Sequence, residues 1–320
     1  MHRRSLLALA SLLPTPAIAQ SGRWQPNAPI RYVVPFPPGS AVDLVGRLTA
    51  EATGPLLGQN IIVENRPGAG TLVAVQAVKT MPPDGQTLLM VANSFTINQT
   101  LHRPQPYDAS ADFDPLALLV GTPHVLVCHP SVASDFAAFL AKAKMPGAGL
   151  SFGSNGQGTS QHMGLEHLKV LAGLNAEHVP YRGVPPMLTD LITGRVHYTF
   201  ANLPDILQAV RDQRLVALGI VAATPHRLLP DVPTLASLGL PQLVNDTFYG
   251  VVMPAGASGE VRTILASALL EGIGQSSVRE RMDTAGLDIM AQGGDALAVR
   301  IRRDTEIYAS VIRDANLKPE

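Results

Sequence analysis

From Ile30 onward, short β-branched runs alternate with apolar residues at helical spacing, and the first such unit is the sharpest. Ile30 to Val34 is an apolar run suited to a buried strand. Pro35, Pro37 and Pro38 forbid continued pairing, and Gly39 frees the backbone to turn. Ser40 stands where a helix cap is expected, with Asp43 three residues later in the place of a capping-box acid. Ala41, Leu44, Val45, Leu48 and Ala52 then recur at helical spacing. A strand therefore ends, a helix begins, and the free N–H groups of its first turn point out of the turn. Taken alone, the unit serves equally as a plain structural turn or as an anion site.

The rest of the chain repeats the unit with new sequence. Asn60 to Asn65 reads as a strand, Arg66 to Gly70 as a turn, and Thr71 to Lys79 as a helix. Thr87 to Ala92 is a third strand with Asn93 and Ser94 at its C-terminal end, followed by a looser region from His102 to Asp114. Pro115 to Val120 resumes at His124 to His129, as one long strand leaving a first lobe and entering a second. Strands at Gly149–Gly153, Ala176–Tyr181, Arg195–Phe200 and Leu215–Ala222 then alternate with helices at Phe136–Ala143, after Ser160, at Pro185–Ile192 and at Pro204–Val210. Phe248 to Met253 crosses back, and helices near Gly259–Glu271, Ser277–Ala285 and Leu297–Ile312 complete the first lobe. Strands joined by helices in this order predict doubly wound sheets.

Met1-His2-Arg3-Arg4, an apolar Ser5–Leu13 core and Ala17-x-Ala19 make a secretory signal cleaved before Gln20. Arg3-Arg4 suits twin-arginine export, and the general secretory route fits as well. The expected organisation is a signal peptide over 1–19, lobe one over 20–121, lobe two over 122–245 and a return to lobe one over 246–320. The chain carries 24 basic and 25 acidic residues, and without Arg3 and Arg4 the balance is 22 against 25. That balance, with no basic run interleaved by aromatics, argues against nucleic-acid binding. The single cysteine, Cys128, allows no internal disulfide, and in Val125-Leu126-Val127-Cys128 it reads as a small buried apolar residue.

In open α/β sheets, ligands bind beyond the C-terminal ends of the strands, where turns lead into helices. That rule picks out Phe36 to Ser40, Gly68 to Gly70 and Asn93-Ser94 in lobe one, and Ser154 to Thr159 and Tyr181 to Gly183 in lobe two. Two glycine-rich helix starts facing each other across a cleft would clamp an anionic ligand without a fixed lysine or arginine, because each supplies about half a positive charge. Asn93 is a candidate side-chain contact from a strand end. Asp43 reads as a helix-start cap rather than a contact. Asn245 and Asp246 precede the return crossing, where an acid would favour an amino group on the ligand.

Pro35-Phe36-Pro37-Pro38-Gly39-Ser40-Ala41-Val42-Asp43, Val63-Glu64-Asn65-Arg66-Pro67-Gly68-Ala69-Gly70 and Pro83-Asp84-Gly85 resemble the first-lobe signature of the tripartite tricarboxylate transporter substrate-binding proteins, the Bug family. Gly153-Ser154-Asn155-Gly156-Gln157-Gly158, Val179-Pro180-Tyr181-Arg182-Gly183, Pro230-Asp231-Val232-Pro233-Thr234 and Met253-Pro254-Ala255-Gly256 continue the match in order. The resemblance implies an α/β, two-lobed periplasmic-binding-protein (Venus flytrap) fold of type II topology, with two doubly wound mixed sheets joined by crossover strands. It also implies a monomeric periplasmic receptor that closes on a small carboxylate and presents it to membrane permease subunits, without cofactor, metal or catalysis. Carried over, Phe36, Gly39, Ser40, Ala41 and Ala69 would face the ligand from lobe one, and Ser154, Asn155, Gly158, Thr159, Tyr181 and Gly183 from lobe two. Arg182 reads as solvated, with a distal carboxylate as its alternative partner. Ser40 stands where the family usually has a second glycine and Thr159 where it has serine, so Ser40 adds a side chain at the ligand's approach.

Two other classes remain in view. The same clamp would serve a sensing module that signals to a sensor kinase. A hydrolase using Ser154 is disfavoured because Gly153-Ser154-Asn155-Gly156 is not a nucleophile elbow and no histidine–acid pair is marked out for it. Gly156-Gln157-Gly158 lacks the third glycine of a dinucleotide fingerprint. His162, Glu166 and His167 share a helix, and without a further well-placed donor they read as a polar face rather than a zinc site.

Overall fold

The computed structural model describes residues 23–243 and 246–318. The expected export signal and Asn245 lie outside these residues. The chain runs β1 (Ile30–Val34), α1 (Ala41–Leu57), β2 (Ile61–Asn65), α2 (Leu72–Lys79), β3 (Thr87–Val91), α3 (Asn93–Leu101) and β4 (Phe113–Cys128). It continues through α4 (Phe136–Ala143), β5 (Ser151–Ser154), α5 (Ser160–Ala172), β6 (Glu177–Pro180), α6 (Val184–Ile192), β7 (Tyr198–Asn202), α7 (Leu203–Arg211) and β8 (Val216–Ile220). It returns through β9 (Asp246–Pro254), α8 (Gly259–Gly274), α9 (Ser276–Ala285), β10 (Asp288–Gly293) and α10 (Gly294–Asp314).

Two sheets share one strand. In the first, β2, β1, β3, β9 and β4 follow in that order, with β10 on the other edge of β4. β1 is parallel to β2 and β3, and β9 is antiparallel to both its neighbours. In the second, β6, β5 and β7 lead to the end of β4, which β8 flanks on its far side. Along β4, Phe113 to Pro123 pair with β9 and His124 to Cys128 pair with β7. Asp246 at the start of β9 faces Pro123, so the two crossing strands lie side by side where the lobes meet. Register shifts at Pro115/Ala117, Leu118/Val120 and Leu126/Val127 let one strand serve both sheets, since each bulge bends and twists it. This is the two-lobed α/β architecture expected from the sequence.

Period-two alternation feeds both faces of each sheet. In lobe one, Tyr32, Val34, Leu88 and Met90 pack with Val45, Leu48, Leu265 and Leu269 under α1 and α8, while Val33, Leu89 and Val91 pack with Phe95, Phe113 and Leu297 on the opposite face. In lobe two, Leu126, Phe152, Tyr198 and Phe200 face Phe139, Leu165 and Leu168, while Val125 and Val127 face Met187, Leu191 and Ile206. Cys128 is fully buried, and burial pushes its thiol up to about 11, as suits a small apolar residue.

Two elements were not anticipated, and one strand is displaced. No element is expected from the sequence over 93–101, because Asn-Ser-Phe-Thr-Ile-Asn-Gln-Thr-Leu is polar and β-branched and has poor helix propensity. Tertiary packing overrides that: Asn93 to Gln99 are all buried in α3, which lies on α10 with Gln99 Nε2 donating to Thr305 Oγ1 at 2.7 Å. The second is β10, an edge strand that is mostly half-exposed and so lacks an apolar run. β7, at Tyr198–Asn202, begins three residues and ends two residues later than the sequence suggests, because Arg195 and Val196 close the turn by bonding back to Asp190 O.

Candidate functional site

Five helices begin at the gap between the lobes: α1 and α3 from lobe one, and α5, α6 and α7 from lobe two. Each follows a strand, so each presents its first turn to the same space. The cavity they line is narrow, with about 340 Å³ of space free of protein atoms, part of it open to solvent. Phe36, Ser40, Asn93 and Ser94 line it from lobe one, and Asn155, Thr159, Gln161, Asn202 and Asp205 from lobe two. Thr247 and Tyr249, on the returning strand β9, line it as well. Among the described residues, no lysine, arginine or histidine lines it, and the one carboxylate is Asp205.

The caps of α1 and α5 differ. Thr159 accepts from the His162 N–H at 3.4 Å and donates to Gly156 O at 2.7 Å, so its hydroxyl is a working cap. Ser40 instead donates to Pro37 O at 3.0 Å and leaves the first turn of α1 uncapped. Asp43 folds back to the Gly39 N–H at 3.0 Å and also holds Asn65 Nδ2 at 2.8 Å and Arg47 Nε at 3.0 Å. Burial works against its charge, but these hydrogen bonds outweigh burial and hold the carboxyl below its ordinary range. The helix-start reading of Asp43 is therefore what the geometry shows.

The uncapped start of α1 is met from the other lobe. The Ala41 N–H donates to Asp205 Oδ1 at 2.8 Å, and Asn202 Nδ2 donates to Asp205 Oδ2 at 3.3 Å. Asp205 sits in the first turn of α7, partly buried. Burial pushes its carboxyl up to about 7, against the opposing pull of those two donors. Asn202 Nδ2 also donates to the Tyr249 hydroxyl at 3.0 Å, and Asn202 Oδ1 accepts from Thr247 Oγ1 at 2.9 Å. Thr247 Oγ1 lies 2.7 Å from His124 Nε2, so a hydrogen-bonded chain runs along the cavity floor where β4 and β9 cross. Burial depresses His124 to about 4, so this imidazole is neutral near pH 7. Asn155 is 8% exposed, and its Oδ1 is buried without a hydrogen-bond partner.

The sequence-derived candidates divide into three groups. Phe36, Ser40, Asn93, Asn155 and Thr159 line the cavity, and Ala69, Tyr181, Arg182 and Gly183 line the vestibule outside it with Phe36 and Asn155. Gly39, Ala41, Ser154 and Gly158 line neither. Ala41 spends its N–H on Asp205. Ser154 is 0% exposed, and its hydroxyl lies 2.7 Å from His178 Nε2 under the glycine loop. That alcohol–imidazole pair would interest a hydrolase, but no substrate reaches a serine so placed.

Gly158, Gly183 and Gly70 are where the lobes touch. A Cβ on Gly158 (φ +71) would collide with Asn98 Oδ1, and one on Gly183 (φ +113) would stand 2.6 Å from Pro37 Cγ. A Cβ on Gly70 (φ +58) would collide with the Gln157 carbonyl. Each glycine admits an atom of the opposite lobe, the Asn98 side chain, the Pro37 ring and the Gln157 carbonyl respectively, so these are points of close approach between the lobes.

Asn93 lines the cavity with its polar atoms already engaged: Nδ2 donates to Asp246 O and Tyr308 Oη, both at 2.9 Å, and Oδ1 accepts from the Phe248 N–H at 3.2 Å. The suggestion that Asp246 faces the ligand fails. Its carboxylate is forked by Arg300 at 2.8 and 3.1 Å, and the residue lines a groove behind the crossing strands. His162 stacks on His178 with centroids 4.1 Å apart, and burial holds both neutral, at about 3 and about 4. Among the described residues, no cluster of three or more His, Cys, Asp or Glu is arranged to hold a metal ion.

The principal residues missed from the sequence are Asp205, Asn202, Thr247 and Tyr249. The strand-end rule that selected Asn93 and Ser154 applies equally to Asn202-Leu203-Pro204-Asp205, where a proline and an acid open a helix after a strand. Thr247 and Tyr249 come from a crossing strand, which that rule does not cover.

The profile of the "Tripartite tricarboxylate transporter family receptor" matches residues 45–317. The "UPF0065 protein in tcbD-tcbE intergenic region" of Pseudomonas sp. (strain P51) is 32% identical over 98% of this chain and 95% of its own length. Rpa4515 of R. palustris, solved with adipate, is 26% identical with a TM-score of 0.87, covering 92% of this chain and 99% of that one. MatC from Rhodopseudomonas palustris, with bound malate, is 27% identical with a TM-score of 0.85, covering 90% of this chain and 99% of that one. The matched family is one of receptors, not of enzymes.

Proposed function

Because the chain belongs to the tripartite tricarboxylate transporter receptor family, we propose that it is a periplasmic receptor that captures a small carboxylate between its lobes and delivers it to the membrane permease. The observation that carries this reading is the cavity itself, walled by the first turns of helices from both lobes and, among the described residues, by no basic side chain. Helix starts bind anions through N–H donors already aligned by the fold, so a carboxylate needs no arginine partner there. The bound malate and adipate of the two Rhodopseudomonas relatives favour the same ligand class.

In this reading the cavity residues Phe36, Ser40, Asn155, Thr159 and Gln161 surround the ligand. Ala69, Tyr181 and Gly183 form the approach. Closure brings Gly70 against Gln157 and Gly158 against Asn98, and the closed face is what the permease recognises. Export to the periplasm by the N-terminal signal belongs to the same proposal.

The test is thermal melting of residues 20–320, unfolded and refolded to strip carried ligand, against small carboxylates and their matched amides. A ligand at a hundred times its dissociation constant stabilises by about 2.7 kcal/mol, which moves the melt by several degrees. A shift with an acid and none with its amide is the expected result. A broad panel of acids that leaves the melt unmoved refutes carboxylate capture.

A further inference from the structure

We propose that Asp205 makes the cavity selective for a carboxylate that brings its own cation, an α-amino acid bound as the zwitterion with its ammonium group on Asp205 and Asn155 Oδ1. This rests on the carboxylate-receptor reading above and narrows its ligand class. Among the described residues, Asp205 is the one carboxylate in the lining, and no lysine, arginine or histidine side chain there balances it. Its two oxygens accept one hydrogen bond each, from the Ala41 N–H and Asn202 Nδ2, which leaves acceptor capacity on both. Asn155 Oδ1, in the same lining, is buried with no donor at all. A buried acceptor without a donor is costly, and a low-dielectric carboxylate without a cation more so. An ammonium group, with three donors and one positive charge, answers both.

The placement also fixes which end of the ligand goes where. Asp205 occupies the Ala41 N–H at the start of α1, the position a ligand carboxylate would otherwise take. The ligand's carboxylate is left the starts of α3 and α5, lined by Ser94 and by Ser160 and Gln161. The ionisable neighbour that shares the lining with Asp205 is Tyr249, whose hydroxyl stays protonated because burial, with the nearby Asp205 charge, raises it well above its ordinary value. An amine-free acid meets an unbalanced carboxylate, and to bind closed it must take up a proton on Asp205. A zwitterion needs no such proton.

The test uses matched pairs on the refolded mature protein: the common L-amino acids, each beside its amine-free acid, such as L-alanine and propionate, L-glutamate and glutarate, L-phenylalanine and 3-phenylpropionate. Calorimetry in two buffers of different ionisation enthalpy gives affinity and proton uptake together. Expected is an amino acid that binds at least tenfold tighter than its amine-free partner, without net proton uptake at pH 7. Asp205→Asn keeps an acceptor for the Ala41 N–H and should weaken that amino acid at least tenfold while leaving amine-free acids as tight or tighter. Amine-free acids that match or beat their amino partners on the wild type overturn the proposal, and this arm stands even where the variant misfolds. An Asp205→Asn protein that folds and holds the amino acid within threefold of wild type overturns it as well. If amine-free acids bind and amino acids do not, the receptor reading survives without the selectivity; if neither series binds, both fail.

Discussion

Asp205 should write its ionisation into the pH dependence of stability. Burial lifts its carboxyl to about 7 in the folded chain, whereas in the unfolded chain it returns to about 3.9. The folded protein therefore holds this proton more tightly than the unfolded one. Stability is complete below about pH 4, falls as pH rises through the folded value near 7, and is flat above it. Roughly three pH units at ~1.36 kcal/mol each set a ceiling of about 4 kcal/mol on the loss. The lobes can relieve the penalty by parting and letting water reach the carboxylate, so any shortfall from that ceiling measures the free energy of opening. Two buried histidines, His124 and His162, and the half-buried His178 titrate in the opposite sense below their ordinary value, so the wild-type curve alone does not isolate Asp205. The assay is urea unfolding of the ligand-free wild type and of Asp205→Asn at pH 4 to 8, read as variant minus wild type. The difference should start near zero at pH 4 and climb to a positive plateau by pH 8, with the variant the more stable protein. A flat difference would mean that Asp205 is hydrated in the ligand-free protein and that the closed arrangement is not its resting state.

The remaining predictions concern closure, the crossing strands and the scaffold. Gly70→Ala should weaken ligand binding at least tenfold, because its Cβ would collide with the Gln157 carbonyl of the opposite lobe; Gly58→Ala has the same backbone sense (φ +64) with nothing within 4 Å and should keep wild-type affinity in the same titration. Arg300→Leu strips both Asp246 and Asp304 of a buried partner and should cost about 3–5 kcal/mol in urea unfolding. Asn93→Ala removes the acceptor of the Phe248 N–H and the donor to Tyr308; it should destabilise by about 1–3 kcal/mol while moving ligand affinity less than threefold, as calorimetry would show.

Much of this fold was legible because its strands bury both faces and its turns are marked by proline and glycine. Val33-Val34-Pro35-Phe36-Pro37-Pro38-Gly39 announces the end of β1, and the buried stretch 113–128 announces a strand long enough to leave one lobe and enter the next. Helix α3 was not legible, because Asn93-Ser94 and Thr96 are helical through contacts with α10 and β9 that sequence spacing does not encode. The site shows a subtler limit. Strand-end reasoning found the neighbourhood and Phe36, Ser40, Asn155 and Thr159 within it. It could not distinguish a glycine that approaches a ligand from one that approaches the opposite lobe. Gly158 and Gly183 satisfy the same backbone requirement for either purpose, and only the position of Asn98 and Pro37 decides. Nor does a sequence show that the N–H of Ala41 is already taken, because its partner is 164 residues away.

That long-range bond bears on how such a receptor stays loadable. A protein that closes empty loses affinity in proportion to its open fraction, since only the open form admits ligand. The contact from Asp205 to the start of α1 favours closure without ligand, as an internal carboxylate standing where a ligand's would. Yet the same contact buries a charge that no side chain in the lining balances, and ionisation of Asp205 opposes it. Near neutral pH the two tendencies meet, because burial lifts the carboxyl to about 7 in this arrangement and hydration on opening would return it toward its ordinary value. A ligand with an ammonium group removes the opposing term and leaves the favourable one. The closed state is then stabilised by the ligand through electrostatics as well as contact, and the empty closed state is held back by the residue that latches it. On this argument Asp205→Asn should close more readily when empty, so its ligand-free protein should be more compact by solution scattering at pH 8 than the wild type. An equally open variant would separate the latch from the charge.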